Sequence, residues 1–252
     1  MFTLEQFKQI AAAVGERTGW DFSRVKDARD PTPWDYVEVV RRYLRPDHHV
    51  LDIGTAGGER FLCLAPFFDT GVGIDCSPDM IQTAHANRPP SLAGRVSFEV
   101  MRAGALRFPE ASFDVVLNRH APLCASEIAR VLRPAGYSIT QQVGARNTHN
   151  ICAVFGCGPG GQYTSDPHQE MATLIETFRR NGCAIIARAE YDVRYWFLDV
   201  ASLVFWIKAL PMPEDLDLER HWQQVATILQ TFQTPRGIET NEHRELLIVQ
   251  KR

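Results

Sequence analysis

The sequence predicts an α/β protein: a doubly wound sheet of seven strands with helices on both faces, plus a helical cap inserted before the last strand. Three observations carry this expectation. From His49 onward, short apolar runs alternate with amphipathic stretches, the pattern of strand–helix–strand units and a mostly parallel sheet. A glycine-rich turn, Gly54-Thr55-Ala56-Gly57-Gly58, follows the first of these runs, and an acidic residue, Asp75, closes the second. The 252 residues are enough for one large domain with an appended cap.

The elements follow in order. Residues 1–48 read as helical, with Trp34, Val37, Val40 and Leu44 at helical spacing ahead of Arg45-Pro46. Before them, Arg29-Asp30-Pro31-Thr32-Pro33 is extended or turned, because proline disfavours helix at the residue preceding it. Residues 50–53 form the first strand, and the glycine turn leads into a helix through Phe61, Leu62 and Leu64. Residues 72–74 form the second strand. Ser77-Pro78-Asp79 then supplies an N-cap and a proline at the first helical position, for a helix carrying Met80, Ile81 and Ala84. Residues 96–100 and 113–117 are the third and fourth strands. Ser126 is expected to cap a helix through Ile128, Val131 and Leu132, and residues 137–143 form the fifth strand.

Residues 144–161, which include Cys157-Gly158-Pro159-Gly160-Gly161, read as a long glycine-rich loop, an active-site flap or a disordered stretch. Pro167 opens a helix with Met171, Leu174, Ile175 and Phe178 on one face, stopped by Asn181-Gly182. Residues 183–191 and 245–250 are the sixth and seventh strands. Between them, residues 192–244 are aromatic and apolar. Val200, Leu203, Val204 and Ile207 make a core stripe, Phe205 and Trp206 fall off it, and Trp196, Phe197 and Trp222 add to the cluster. This segment reads either as a buried cap or homodimer contact, or as a lid lining an apolar acceptor pocket. Inside it, residues 236–243 are polar and read as a solvated turn, the alternative being that Glu242 and His243 reach the cleft.

Composition narrows the function classes. Hydrophobic residues make up 45% and charged residues 23%, as in ordinary globular proteins. The formal net charge of −3 supplies no global attraction to nucleic acid or anionic lipid. No apolar run approaches the roughly 20 residues that span a bilayer. Met1-Phe2-Thr3-Leu4-Glu5 lacks the order of a signal peptide, so a cytoplasmic protein is expected. The six cysteines, Cys63, Cys76, Cys124, Cys152, Cys157 and Cys183, form no CxxC pair, so no metal site is expected and the thiols read as buried or idle.

Four segments carry a family resemblance: Val50-Leu51-Asp52-Ile53-Gly54-Thr55-Ala56-Gly57-Gly58-Glu59, Gly73-Ile74-Asp75, Phe113-Asp114-Val115-Val116-Leu117-Asn118, and Ala129-Arg130-Val131-Leu132-Arg133-Pro134-Ala135-Gly136. In this order they resemble the class I S-adenosylmethionine (SAM)-dependent methyltransferases, over about residues 48–143. The resemblance implies a Rossmann-like sheet with an antiparallel last strand and SAM as cofactor. S-adenosylhomocysteine would be the product. It places Asp52, Gly54, Thr55, Ala56 and Gly58 under the methionine and ribose portions, and Asp75 on the ribose hydroxyls. Cys76 and Met80 fall against adenine, with Met80 equally readable as a helix-face core residue.

The sequence departs from the family at two points. The middle glycine of the turn is Ala56, and Arg102 stands where the family often has an acid near the adenine amine, which leaves backbone groups or Ala103-Gly104 to line that pocket. A nicotinamide dinucleotide is disfavoured, because its fingerprint would need glycine where the chain has Glu59.

Methyl transfer is an in-line displacement that needs alignment and exclusion of water. The fourth-strand end, Asn118-Arg119-His120-Ala121-Pro122, is the natural acceptor side. His120 is the candidate general base, against a structural reading as a hydrogen-bonded strand-end histidine, and Asn118 the candidate hydrogen-bonding group to SAM or acceptor. Gln141-Gln142 ends the neighbouring strand at the same edge. The segment is not the Asn/Asp-Pro-Pro-aromatic motif of enzymes that methylate exocyclic amines. The leading expectation is a small, partly apolar acceptor with an O, N, S or C nucleophile. The alternatives are an rRNA or tRNA base methyltransferase, since His120-Ala121-Pro122 loosely resembles the guanine-N1 ribosomal enzymes without their cysteine zinc module, and a SAM-binding protein without turnover. An arsenite methyltransferase ranks low on cysteine spacing.

Overall fold

The computed structural model describes residues 3–15, 22–158, 167–210, 216–217 and 219–252. In chain order the elements are α1 (Leu4–Val14), β1 (Asp27–Arg29), α2 (Tyr36–Arg41), β2 (His49–Ile53), α3 (Glu59–Leu64), β3 (Thr70–Asp75), α4 (Pro78–Asn87), β4 (Val96–Val100), β5 (Phe113–Arg119), α5 (Ala125–Val131), β6 (Leu132–Val143), α6 (His149–Val154), α7 (Pro167–Arg180), β7 (Cys183–Phe197), α8 (Val200–Ala209), α9 (Trp222–Phe232), β8 (Gln233–Thr234) and β9 (Gly237–Lys251). The chain divides into two compact units. The larger comprises Pro33–Val143, Gln169–Glu190 and Glu245–Arg252, and the smaller comprises the rest.

In the larger unit the strand order is β7-β9-β6-β5-β2-β3-β4. Pairing is parallel between β2 and β3, β3 and β4, β2 and β5, and β5 and β6. The chain winds outward from β2 through β3 and β4, then returns to β5 on the other side of β2. The switch point therefore lies between β2 and β5, where Ile53 pairs with Asn118. Open α/β sheets bind ligands at the carboxyl ends of the strands at such a point.

Period-two alternation assigns the two faces. Val50, Val115, Leu117, Leu246 and Ile248 join one core, with Tyr36 and Val40 of α2, Phe61 and Leu64 of α3, and Ile81 and Ala84 of α4. Leu51, Ile53, Val116, Leu247 and Val249 join the other, with Ile128 and Val131 of α5 and Met171, Ile175 and Phe178 of α7. The expected doubly wound sheet with helices on both faces is what forms.

The smaller unit has its own core, built from Phe7 and Ala11 of α1, Ile151 and Cys152 of α6, Phe197 of β7, Leu203, Val204 and Ile207 of α8, and Val225 and Ile228 of α9. Here β1 pairs antiparallel with β7, and β8 with β9. These two short strands were not expected.

Several local expectations are corrected. Ser126 does not cap α5; Cys124 holds the N-cap position, with no side-chain cap bond. Residues 144–161 are not all loop, since α6 forms there once Thr148 turns into the left-handed region, and Pro159, Gly160 and Gly161 lie outside the described residues. β7 continues to Phe197 and β9 begins at Gly237, so the segment between these strands is shorter than residues 192–244. The aromatics of that segment serve the smaller unit itself. Trp196, Phe197 and Phe205 are buried, and the Phe197 ring lies 5.5 Å from that of Trp206.

The polar run 236–243 is mostly strand, and Thr240, Asn241, Glu242 and His243 are buried rather than solvated. They are buried because they are paired. Glu242 takes Arg29, Tyr191 and Arg244, Asn241 Nδ2 donates to Asp192 Oδ1 at 2.6 Å, and His243 Nδ1 accepts from the Arg146 N–H at 3.1 Å. Among the described residues no helix is long and apolar enough to cross a membrane.

Candidate cofactor and acceptor site

The turn after β2 lies wholly in the larger unit. The Gly54 and Thr55 N–H groups both donate to the Ile74 carbonyl, at 2.8 and 2.9 Å, which ties the turn to the end of β3. Gly54 has φ +77°, and a Cβ there would overlap the Ala121 side chain. The residue must therefore be glycine for the turn to pass so close to the segment after β5. Ala56, the departure from the family pattern, holds φ +49°, the left-handed region a glycine adopts without penalty. Gly58 caps α3 at φ +77°.

Asp75 closes β3 half-buried. Its Oδ2 accepts the Ala56 N–H at 3.1 Å and its Oδ1 the Ser77 N–H at 2.9 Å. Each oxygen accepts one backbone bond and keeps a lone pair, so the carboxylate is oriented by the turn and still able to accept two hydroxyls. Next to it, Cys76 is exposed and Met80 half-buried, with the Met80 N–H on the Ser77 hydroxyl as the N-cap expectation required. At Asp52, burial pushes the carboxyl up to about 6; the Thr55 hydroxyl opposes the rise and the charge of Asp75 adds to it.

The segment after β4 is held by a latch from α5. The Leu106 N–H donates to Glu127 Oε2 at 3.0 Å, while Arg130 donates to the Phe108 and Leu106 carbonyls at 2.7 and 2.9 Å. Arg130 also pairs with Glu127 at 2.8 Å. Arg102 is exposed, Ala103 is half-buried, and a Cβ on Gly104 would meet nothing within 4 Å.

At the end of β5, Asn118 is fully buried and its hydrogen-bonding capacity is filled. Nδ2 donates to the Ile53 and Pro122 carbonyls, at 3.1 and 3.4 Å, and Oδ1 accepts from Thr140 and Gln142, at 2.9 and 2.5 Å. These four bonds clamp the carboxyl ends of β2, β5 and β6 together. His120, half-buried at φ +55°, donates its N–H to the Gln141 carbonyl at 2.9 Å. Its Nε2 faces Gln141 Nε2 at 3.2 Å, and Gln141 Oε1 accepts the Trp34 indole N–H at 2.9 Å. Tyr36 Oη lies 3.2 Å from both the Asn118 and Ile139 carbonyls, and burial raises its phenol, so it stays protonated.

Sequence reading assigned Trp34 to a helical stripe and passed over Tyr36. The signal that separates them is Asp35, whose side chain caps α2 and leaves Trp34 outside the helix. A separate cavity of about 310 Å³, lined by His49, Thr70, Arg95 and Ser112 among others, lies at the amino ends of the strands, away from this turn.

Residues 50–136 match the family model described as a methyltransferase domain. Among curated relatives, an uncharacterized methyltransferase, YcgJ of Bacillus subtilis (strain 168), is 29% identical over 97 residues, 38% of this chain and 38% of its own. The 2-methyl-6-phytyl-1,4-hydroquinone methyltransferase of Synechocystis sp. (strain ATCC 27184 / PCC 6803 / Kazusa) is 33% identical over 130 residues, 46% of this chain and 40% of its own. The chain thus spans less than half the length of these relatives. Two solved structures share the fold. The crystal structure of the Bacillus subtilis YcgJ protein aligns with TM-score 0.60 at 19% identity, over 86% of this chain and 98% of that one. A Deinococcus radiodurans R1 protein of unknown function aligns with TM-score 0.62 at 17% identity, over 98% of this chain and all of the other. Residues 50–136 thus match a methyltransferase domain, and SAM is the cofactor of the class I methyltransferases that this chain resembles.

Proposed function

We propose that the protein transfers a methyl group to a small, partly apolar molecule. The observation that carries this reading is the Asp75 carboxylate at the carboxyl end of β3, oriented by the Ala56 and Ser77 N–H groups with lone pairs in reserve. SAM supplies an electrophilic sulfonium methyl when bound. The chain's own residues would hold it: Asp75 on the ribose hydroxyls, the Gly54–Gly58 turn beneath the methionine, Asp52 toward its positive charge, and Ala103-Gly104 with Met80 and Cys76 around adenine. Beyond the cofactor, His120 faces the acceptor side.

The small-molecule class is favoured over RNA by the net charge of −3, which offers a polyanion no general attraction. Two relatives point the same way, one named for a hydroquinone and another for phosphoethanolamine. Asp75→Ala should weaken SAM binding by about 1.5–3 kcal/mol in calorimetry, the range for charge-assisted hydrogen bonds. Unchanged affinity in that folded variant sinks the assignment. Turnover with a panel of phenols, hydroquinones and amines, set against a structured RNA, decides the acceptor class, and SAM binding without turnover on every acceptor favours a binding protein.

A further inference from the structure

The contacts around His120 fix more than its position. An indole N–H can only donate, so the Gln141 amide must turn its oxygen to Trp34. Its NH2 group then faces His120, and because that group can only donate, Nε2 of the imidazole must accept. A neutral imidazole has one accepting nitrogen, so the proton sits on Nδ1. Rotating the amide would set N–H against N–H at Trp34 and remove the bond to His120. Gln141 is 4% exposed, so water offers little compensation for either loss.

We propose that Trp34 and Gln141 are positioning residues that hold His120 in its neutral Nδ1–H tautomer, with the Nε2 lone pair already occupied. This rests on the reading that His120 serves the acceptor side, and it changes the role of that residue. A general base needs a lone pair to receive a proton; here one nitrogen has given its lone pair to Gln141 and the other carries the proton. His120 therefore does not serve as the general base. The acceptor class that fits is one whose nucleophile does not depend on this imidazole for deprotonation.

The experiment is long-range proton–nitrogen NMR on the full chain labelled with 15N-histidine, at mildly alkaline pH, the His120 signals being those lost in His120→Gln. Wild type is expected to show a protonated Nδ1 and a bare Nε2. In Gln141→Glu one carboxylate oxygen still accepts from Trp34 while the other faces Nε2, so the proton should move to Nε2. In Trp34→Phe the amide is released and the Nδ1–H form should lose its dominance. A wild-type His120 protonated on Nε2, or a tautomer unmoved in folded Gln141→Glu, overturns the proposal, and the wild-type spectrum decides alone if the variants do not fold.

With the acceptor identified, His120→Gln should lower kcat by less than the about 10²–10⁴-fold that loss of a general base costs; a hundredfold loss or more shows that His120 is the base and overturns the proposal. SAM affinity is measured in parallel. Its absence in wild type overturns the methyltransferase reading and leaves the tautomer to the spectrum.

Discussion

At Asp52 the folded chain holds a carboxyl that burial drives to about 6, well above the ordinary aspartate value. Between the two values the folded state binds the proton more strongly than the unfolded chain does. The linkage relation then makes stability fall as pH rises through that window: Asp52 is least unfavourable below about 4 and most so above about 6. Asp52→Asn should accordingly stabilise the unliganded protein at pH 7.5 by roughly 1–3 kcal/mol, with little effect near pH 4. SAM is cationic and favours the ionised form, so its affinity should drop several-fold from pH 7.5 to pH 5 in wild type and stay flat in Asp52→Asn. Thermal melts and calorimetry at the two pH values check both parts, and a variant with the same pH dependence as wild type refutes the assignment. Asp52 and Asp75 were legible in the sequence because the turn and the strand end place them. The Trp34–Gln141–His120 chain was not, since its members lie far apart in sequence and meet only when the segments before α2 and after β5 come together at the end of β6.

The Gly54–Gly58 turn shows how an element can satisfy its pattern while carrying strain at one position. Ala56 occupies left-handed backbone at φ +49°, which costs a residue with a Cβ about 1–2 kcal/mol, whereas glycine there loses only chain entropy. Ala56→Gly should raise stability by about 0.5–1 kcal/mol, read as a higher urea midpoint at unchanged slope. Gly54→Ala should lower it, since φ +77° and the Ala121 side chain both oppose a Cβ. A lower midpoint for Ala56→Gly would mean that the alanine methyl makes contacts outweighing the backbone strain. The strands of the larger unit were legible because their apolar residues alternate between two covered faces. The boundary of α5 was not, because a cysteine at the N-cap gives no side-chain signal.

Over the whole chain, the two units differ in how their interiors announce themselves. The larger unit alternates apolar residues between two covered faces, so its seven strands could be anticipated from residues 49–143 and the closing runs. The smaller unit buries Thr240, Asn241, Glu242 and His243, a run whose polarity reads as solvent-facing until its partners are seen. Glu242 is the hub. Arg29 Nη1 lies 3.0 Å from Oε1, Arg244 Nη2 3.2 Å from Oε2, and the Tyr191 hydroxyl donates to Oε1 at 2.7 Å. Burial lowers the Arg244 guanidinium, and Glu242 is the first charge that counters it; burial and the Glu242 bond both raise the Tyr191 phenol.

Removing the carboxylate would leave a largely buried arginine without its main counter-charge, and breaking such a pair costs about 3–5 kcal/mol. Glu242→Ala should lower the melting temperature by roughly 6–20 °C on the scale of 2–4 °C per kcal/mol for a chain of this size. Glu242→Gln keeps an acceptor for Tyr191 and should lower it less. Calorimetric melts of the two variants test this directly, and a Glu242→Ala shift within about 2 °C of wild type would show that the network is solvated in solution and that the polar run was read correctly from the sequence after all.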